Sequence, residues 1–260
     1  QLHSLYLSTL TRKRHEPIAM PSNLVLLVRH GETEGNAAGR MQPPTEPLSK
    51  KGKQQAHLLG RYLRGAEDRG EFSLSVFIVS DLTRTRETAH EVLEVIGRIG
   101  RKVQEDPLLQ ERNFGELRGQ FYADITNQYG NPFAEAFAPP GGETWKQFRE
   151  RVTEAWSAIV RLASLVPTAV EGKPESALVV VTHGLVLKVL MEHVLEVPED
   201  FPNSFLNTSL THVRLTWGTD TFCSRAVVTR SNHTPHLGAE SALDDPMLQR
   251  IVKIEPTSKL

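Results

Sequence analysis

Runs dominated by branched apolar residues recur along the chain at residues 24–28, 76–80 and 177–181. Their short length and lack of polar alternation are typical of strands that are buried on both faces of a parallel sheet. Segments with helical spacing of apolar residues lie between these runs. The pattern therefore predicts alternating strands and helices, joined by right-handed crossovers, with helices on both faces of a mostly parallel sheet.

Two amphipathic segments in the first half of the chain predict helices. Residues 50–63 follow Ser49, a residue type that caps helix N-termini, and their apolar side chains recur at helical spacing. A second helix follows the strand at residues 76–80. We expect Asp81 to cap its start and Gly97 to end it.

The second half of the chain has a different pattern. Residues 107–142 are rich in Gly, Pro, Asn and aromatic residues, which favours a lid over the site rather than another strand–helix unit. Residues 143–165 predict a long helix. Alternating polar and apolar residues at 209–217 and 222–229 predict a β-hairpin at one sheet edge. The predicted fold class is α/β, a three-layer αβα sandwich with a mostly parallel central sheet and an antiparallel edge hairpin.

These segments predict one domain at residues 23–230, preceded by an extension at 1–22 and followed by a tail at 231–260. The last three residues, Ser258-Lys259-Leu260, match a peroxisomal import signal, which a receptor reads at a free C-terminus. The sequence thus predicts a peroxisomal import receptor as a partner and a peroxisomal location. The cytoplasm is the alternative location.

Composition narrows the range of partners. A formal net charge of -1 over 260 residues provides no basic field for nucleic acid or for an anionic membrane surface. No apolar run approaches the roughly 20 residues that span a bilayer. Cys223 is the single cysteine, which excludes an internal disulfide and a multi-cysteine metal site. We therefore expect a small molecule as ligand, and local arginines would have to bind any anion.

Two of the predicted strands end in the same dipeptide, His30-Gly31 and His183-Gly184. The carboxyl ends of parallel strands lie at the same edge of a sheet, which is where open α/β sheets bind ligands. A single histidine at a strand end can simply satisfy a hydrogen bond. Two in equivalent positions, one of them preceded by Arg29, favour a functional site.

The neighbours of His30 favour a phosphoryl group as the ligand. A neutral imidazole can attack phosphorus when cations and amide donors hold the phosphoryl group in line. Arg29 and Asn36 supply such donors beside His30, and Arg84 supplies another from the start of the second helix. Arg86 lies on a different face of that helix, so we expect it to be a solvated surface charge.

His183 and Gly184 are expected to close the pocket, with the imidazole donating an N–H or, if protonated, adding positive charge. The leaving oxygen also needs a proton. Glu111 is the candidate donor, because apolar neighbours could desolvate its carboxyl group, and Glu116 is the rival. No metal is expected, because the two histidines are accompanied by arginines rather than carboxylates, and cations repel a metal ion. The sequence predicts no cofactor either.

Several separated motifs, in this order, resemble the histidine phosphatase superfamily in its phosphoglycerate mutase-like branch. They are Arg-His-Gly-x-Thr-x-x-Asn at 29–36, residues 80–89 with Arg84, Glu111 with Phe114-Gly115, residues 140–144, and Thr182-His183-Gly184. The resemblance covers roughly residues 24–230. The Gly184 position argues against the acid-phosphatase branch, which usually has Asp there.

This resemblance implies a phosphoglycerate mutase-like fold and a metal-independent reaction. It implies that His30 becomes a phosphohistidine and that Glu111 donates and accepts the proton. It also implies that Arg29, Arg84 and His183 bind the phosphoryl group.

Phosphatase and mutase share the phosphohistidine and differ in whether water or a substrate hydroxyl attacks it. Residues 111–115 resemble the mutase version, whereas the short segment 118–141 and residues 207–209 resemble the phosphatase version. A phosphatase is therefore favoured, with a mutase as the alternative. A non-catalytic phosphate-binding module is a third possibility, but it would be expected to lack His30 or Glu111.

The substrate is expected to be a small phosphorylated metabolite. Residues 111–112 together with 139–144 resemble phosphatases that act on fructose bisphosphates, which favours a sugar phosphate. Arg112, Arg118 and Arg40 could instead bind a carboxylate, as in a phosphoglycerate. The alternative for each of these arginines is a plain surface charge.

Overall fold

The computed structural model describes residues 20–100, 103–168, 173–198, 205–218 and 223–238. Most of the predicted extension at 1–22 and the tripeptide Ser258-Lys259-Leu260 lie outside these residues, so import into peroxisomes stays a prediction. Within the described part of the chain, no helix is both long enough and apolar enough to cross a membrane.

Six strands form one sheet in the order β3-β2-β4-β1-β5-β6. They are β1 (Ser22–Arg29), β2 (Phe72–Val79), β3 (Gln104–Glu105), β4 (Glu175–Thr182), β5 (Leu210–Trp217) and β6 (Cys223–His233). Strands β1 to β4 are all parallel to one another, while β5 is antiparallel to β1 and β6 is antiparallel to β5. The predicted mostly parallel sheet with an antiparallel edge pair is confirmed.

Helices cover both faces of this sheet. They are α1 (Glu34–Ala38), α2 (Lys50–Asp68), α3 (Thr83–Val95), α4 (Tyr122–Tyr129), α5 (Trp145–Ala163) and α6 (Gly184–Val189), which continues as a π-helical turn at Leu190–Val194. Side chains of β1 alternate between two apolar cores, with Val25 and Leu27 packed on the α5 side and Leu26 and Val28 on the α2 and α3 side. Burial on both faces explains the uninterrupted apolar run and establishes the three-layer sandwich.

The predicted helix starts are partly correct. Ser49 caps α2, its hydroxyl accepting from the backbone N–H of Gly52 at 3.0 Å. Asp81 does not cap α3, because the cap position is Leu82, which makes no side-chain cap hydrogen bond. The Asp81 carboxylate instead accepts from the side-chain amide of Gln110 at 2.7 Å, a partner that is distant in sequence.

The segment at 107–142 combines two 3₁₀ turns, Pro107–Leu109 and Gly115–Leu117, with α4. Four of its residues besides Glu111 line the pocket at the sheet edge: Arg112, Phe114, Arg118 and Tyr122. This placement lets the segment shape the ligand site.

Candidate active site

The carboxyl ends of β1 and β4 bring the two histidines together. The parallel register pairs Arg29 with Thr182, so His30 and His183 follow at the same level of the sheet. Both side chains are buried, and their ring centroids are 5.2 Å apart. The motifs at the two strand ends therefore correctly predicted that the two histidine side chains lie close together.

His30 has a defined tautomer. Its Nδ1 lies 2.7 Å from the carbonyl oxygen of Gly31, and a carbonyl can only accept, so Nδ1 carries the proton. Nε2 accepts from Nε of Arg84 at 3.3 Å. Burial, followed by the charges of Arg84 and Arg29, lowers the pKa of His30 well below its usual value. The imidazole is therefore neutral, with the lone pair on Nε2, as a nucleophile requires.

Two buried arginines flank this imidazole. Arg84, in the first turn of α3, also donates from Nη1 to the carbonyl of Pro43 at 3.2 Å. Burial lowers the pKa of Arg84 to about 10, which leaves it cationic at neutral pH. Arg29 donates to the carbonyl of Phe205 at 2.6 Å and lines the same pocket. Arg86 is exposed, as expected, and pairs with Glu105.

Asn36 presents an amide donor to the pocket. Its Oδ1 accepts from the backbone N–H of Thr33 at 3.2 Å and from Nδ2 of Asn207 at 3.4 Å. The Asn36 Nδ2 atom is buried and has no hydrogen-bond partner in the described part of the chain. Because the side chain lines the pocket, this amide is suited to an oxygen of a phosphoryl group.

Asn207 and Thr208 brace the end of β1, and sequence reasoning did not name them as site residues. Asn207 Nδ2 donates to the carbonyl of His30 at 2.9 Å. Thr208 has a φ of 58°, a left-handed conformation that is uncommon for this residue type, and its N–H donates to the carbonyl of Arg29 at 2.9 Å. The only available signal was the Asn-Thr-Ser motif at 207–209, which pointed to a family branch rather than to contacts.

His183 lies beside His30, while Gly184, which follows it, lines the pocket. The His183 Nε2 atom lies 2.9 Å from Oγ of Ser80, and Nδ1 is buried without a hydrogen-bond partner among the described residues. Burial and the charge of Arg84 lower the pKa of His183 well below its usual value. The predicted alternative of a protonated His183 is therefore disfavoured in the unliganded site.

Glu111 lines the same pocket as His30. Its Oε1 accepts from the backbone N–H of Arg112 at 3.0 Å, and Oε2 accepts from that of Leu185 at 3.2 Å. Burial raises the pKa of Glu111 despite these hydrogen bonds, which favours the protonated form that a proton donor requires. The rival Glu116 is exposed and is not part of the pocket wall.

Arg112 is not a surface charge. Its side chain is 1% exposed, and its three nitrogens donate to the carbonyls of Glu143, Pro132 and Phe137 at 3.1, 3.4 and 2.6 Å. The guanidinium also lies 4.4 Å from the ring centroid of Trp145. Arg112 thus links parts of the 107–142 segment to one another, and it also lines the pocket, so its contact with substrate stays a prediction.

The other two arginines considered for a carboxylate differ from each other. Arg40 forms an ion pair with Glu46 at 2.7 Å and is not in the pocket wall. Arg118 is half-buried and lines the pocket. Among the described residues, one group has the geometry of a metal site, namely His57, Glu91 and Glu94 between α2 and α3, and it lies outside the pocket.

This arrangement of a neutral imidazole, two buried arginines and a carboxyl group is suited to phosphoryl transfer. The family model of the histidine phosphatase superfamily (branch 1) matches residues 25–225. The chain belongs to this superfamily. The family that the motifs predicted is thus confirmed, and the match extends over most of the chain.

Similar proteins include some that are named mutases and some that are named phosphatases. A probable phosphoglycerate mutase GpmB of Serratia proteamaculans is 33% identical over 67% of this chain and 75% of its own length. A metal-independent phosphoserine phosphatase of Arabidopsis thaliana is 31% identical over 74% of this chain and 76% of its own. A solved structure of a mycobacterial glucosyl-3-phosphoglycerate phosphatase has a TM-score of 0.66 at 24% identity, covering 82% of this chain and 99% of that one, and supports the fold.

Proposed function

We propose that this superfamily member is a metal-independent phosphatase that hydrolyses small phosphomonoesters through a phosphohistidine on His30. The observation that carries the proposal is the pairing, in one pocket, of a His30 Nε2 lone pair fixed by the Gly31 carbonyl with a Glu111 carboxyl group whose pKa is raised. The first group can attack phosphorus, and the second can protonate the leaving oxygen.

In the first half-reaction, Nε2 of His30 forms a bond to phosphorus while the bond between phosphorus and the ester oxygen breaks. Glu111 gives its proton to that oxygen, which leaves as an alcohol. Arg29 and Arg84 offset the charge on the phosphoryl oxygens, and the unpartnered Nδ2 of Asn36 supplies a further donor. These residues together provide the electrostatic stabilisation that the transfer needs.

In the second half-reaction, water attacks phosphorus and the bond to Nε2 breaks. The Glu111 carboxylate takes a proton from that water, which restores its acid form, and inorganic phosphate leaves. The proton on Nδ1 of His30 stays there throughout, donated to the Gly31 carbonyl, so the ring is returned in the tautomer in which it began. No metal ion takes part in either step.

The test compares wild type with His30→Ala on 3-phosphoglycerate, glucose 6-phosphate and 4-nitrophenyl phosphate in the presence of a chelator. Phosphate release should fall at least about 1000-fold in His30→Ala, because the nucleophile is lost. Rapid quenching of wild type should trap an alkali-stable, acid-labile phosphoryl group on the protein. His90→Ala, which removes an exposed histidine of α3, is the matched control and should retain full activity.

Equal activity of His30→Ala and wild type would overturn the proposed mechanism. A phosphoglycerate mutase is the second candidate, because GpmB proteins are among the similar sequences. Interconversion of 2- and 3-phosphoglycerate that needs both His30 and added bisphosphate, with little phosphate release, would favour the mutase.

A further inference from the structure

The pocket wall contains four arginines among the described residues, and three of them already have partners. Arg29 donates to a backbone carbonyl, and Arg84 donates to His30 and to another carbonyl. Arg112 donates to three carbonyls. Arg118 differs, because its guanidinium makes no hydrogen bond or ion pair with any residue of the described part of the chain.

The backbone that follows Arg118 is hydrogen-bonded to the segment at residues 39–41, in which Met41 also lines the pocket. The N–H of Gly119 donates to the carbonyl of Met41 at 2.6 Å, and the N–H of Met41 donates to the carbonyl of Gln120 at 2.8 Å. The N–H of Tyr122 donates to the carbonyl of Gly39 at 2.9 Å. A guanidinium on a braced backbone loses less conformational freedom on binding than one on a mobile loop.

The charge of Arg118 is partly desolvated and is not neutralised by an ion pair with any described residue. Burial lowers its pKa, and Glu143 is the carboxylate that favours its charged form. Glu143 is nevertheless occupied, because it accepts two hydrogen bonds from Arg151 and one from the N–H of Asn113. An anionic group on a ligand would therefore gain a charge-assisted, bidentate contact with Arg118.

Arg118 does not belong to the cluster that holds the reacting phosphoryl group. Arg84 contacts Nε2 of His30 and Arg29 precedes His30 in the chain, whereas no hydrogen bond joins Arg118 to His30 in the described part of the chain. Arg118 also comes from the 107–142 segment rather than from a strand end. Its position suits a part of the substrate other than the phosphoryl group that is transferred.

We propose that Arg118 forms a second anion subsite in the catalytic pocket. The preferred substrates are then phosphomonoesters that carry another anionic group, either a carboxylate or a second phosphate. This inference rests on the proposed function and refines it, because it selects one class among the small phosphomonoesters. The subsite contributes to substrate binding through the N–H donors of the Arg118 guanidinium, whose geometry matches the oxygens of a carboxylate or of a phosphate.

The experiment uses matched substrate pairs that differ in the second anion. 3-Phosphoglycerate is compared with glycerol 3-phosphate, in which a hydroxymethyl group replaces the carboxylate, and fructose 1,6-bisphosphate is compared with fructose 6-phosphate. In Arg118→Gln, kcat/KM for the preferred anionic substrate should fall roughly 10- to 100-fold, chiefly through KM. The value for its matched partner should change less than about threefold. Whichever pair responds identifies the second anion.

Two control variants sharpen this result. Arg118→Lys keeps the charge and loses the fork of donors, so it should recover part of the selectivity. Arg86→Gln removes an exposed arginine that is paired with Glu105, and it should leave all four values unchanged. Equal losses for both members of each pair in Arg118→Gln, or no loss for either, would overturn the subsite.

Binding separates this inference from the proposed function. Calorimetry of 3-phosphoglycerate, glycerol 3-phosphate and the two fructose phosphates on His30→Ala, with and without Arg118→Gln, does not depend on turnover. A selective loss of affinity for an anionic member would support the subsite even if wild type released no phosphate. Phosphate release with unselective binding would support the phosphatase and overturn the subsite.

Discussion

Burial drives His30 and Glu111 toward their uncharged forms from opposite sides of the pH scale. It lowers the pKa of the imidazole and raises that of the carboxyl group. The two shifts therefore bring together the pH range in which the nucleophile is deprotonated and the range in which the acid is protonated. The same physical effect prepares both partners of the first half-reaction.

The role of Glu111 as the acid predicts a dependence on the leaving group. Glu111→Gln should lower kcat/KM for glycerol 3-phosphate about 100- to 10,000-fold, because an alkoxide leaves poorly without a proton. The loss for 4-nitrophenyl phosphate should be less than about 10-fold. In wild type, kcat/KM for the alkyl ester should fall as pH rises through the raised pKa of Glu111, and the variant should lack this alkaline limb.

Measuring kcat/KM isolates the steps up to departure of the alcohol, so the later use of Glu111 as a base does not interfere. Glu116→Gln is the matched control, because that carboxylate is exposed, and it should behave like wild type. Parallel losses on the alkyl and aryl esters in Glu111→Gln would assign the proton to another group.

At this scale the sequence was most informative where motifs lie at strand ends. His30 and Arg84 are brought together because the strands that precede them are in the same parallel sheet. The role of Arg112 could not be predicted, because its partners are backbone carbonyls up to 31 residues away whose positions depend on the folded 107–142 segment. Asn207 was missed as a site residue because its partner, the carbonyl of His30, is 177 residues away in the chain.

Two elements meet unusually closely behind the nucleophile. A Cβ at Gly52, in the first turn of α2, would lie 2.0 Å from the carbonyl oxygen of Glu32, and a Cβ at Gly31 would lie 2.6 Å from that of Gly52. The absence of side chains at both glycines lets α2 approach the loop that carries the Gly31 carbonyl. That carbonyl in turn fixes the tautomer of His30.

Gly52→Ala should therefore destabilise the protein by about 2 to 4 kcal/mol and lower activity, because backbone rather than a flexible side chain must move. Gly65→Ala, in the same helix, is the matched control, since the nearest atom is the mobile Nη1 of Arg69 at 3.1 Å. That change should be neutral or stabilising by up to about 1 kcal/mol. Urea denaturation of both variants measures the change in the free energy of unfolding. Equal destabilisation of the two variants would contradict this prediction.

Element boundaries show where local reasoning fails. The start of α2 was predictable because Ser49 bonds within its own turn. The expected cap of α3 was wrong because Gln110 takes the Asp81 carboxylate. The two-residue strand β3 was not predicted, since Gln104 and Glu105 gain their extended pairing only from β2. Local patterns therefore succeed where the decisive contact is itself local.

At the scale of the whole molecule, the alternation of apolar runs and amphipathic segments was enough to predict the layers and the edge hairpin. It was not enough to predict a histidine cluster that joins distant parts of the chain. Three pairs of rings in this cluster have centroids 6.0 to 6.1 Å apart. The rings belong to Tyr62 of α2, His212 of β5, His233 of β6 and His236 of the Pro235–Leu237 turn. These residues meet only when the hairpin packs against α2.

This cluster predicts a loss of stability in mild acid. Burial, aided by neighbouring positive groups, lowers the pKa of His212 and of His236 to about 4. Both are near 6.5 in the unfolded chain, so the unfolded state binds more protons below that value. The stabilisation is complete above about pH 6.5 and is lost as pH falls toward 4, by on the order of 2 kcal/mol for each histidine.

The double variant His212→Gln/His236→Gln should therefore lose less stability than wild type between pH 7 and pH 4.5. His30 and His183 titrate in the same direction in both proteins, so the difference between the two pH profiles isolates the cluster. Urea denaturation at several pH values provides the comparison, with His90→Gln as the exposed control. Parallel profiles for the double variant and wild type would show that the cluster does not couple folding to protons. A flatter profile for the double variant would place that coupling where the hairpin, α2 and the C-terminal turn meet.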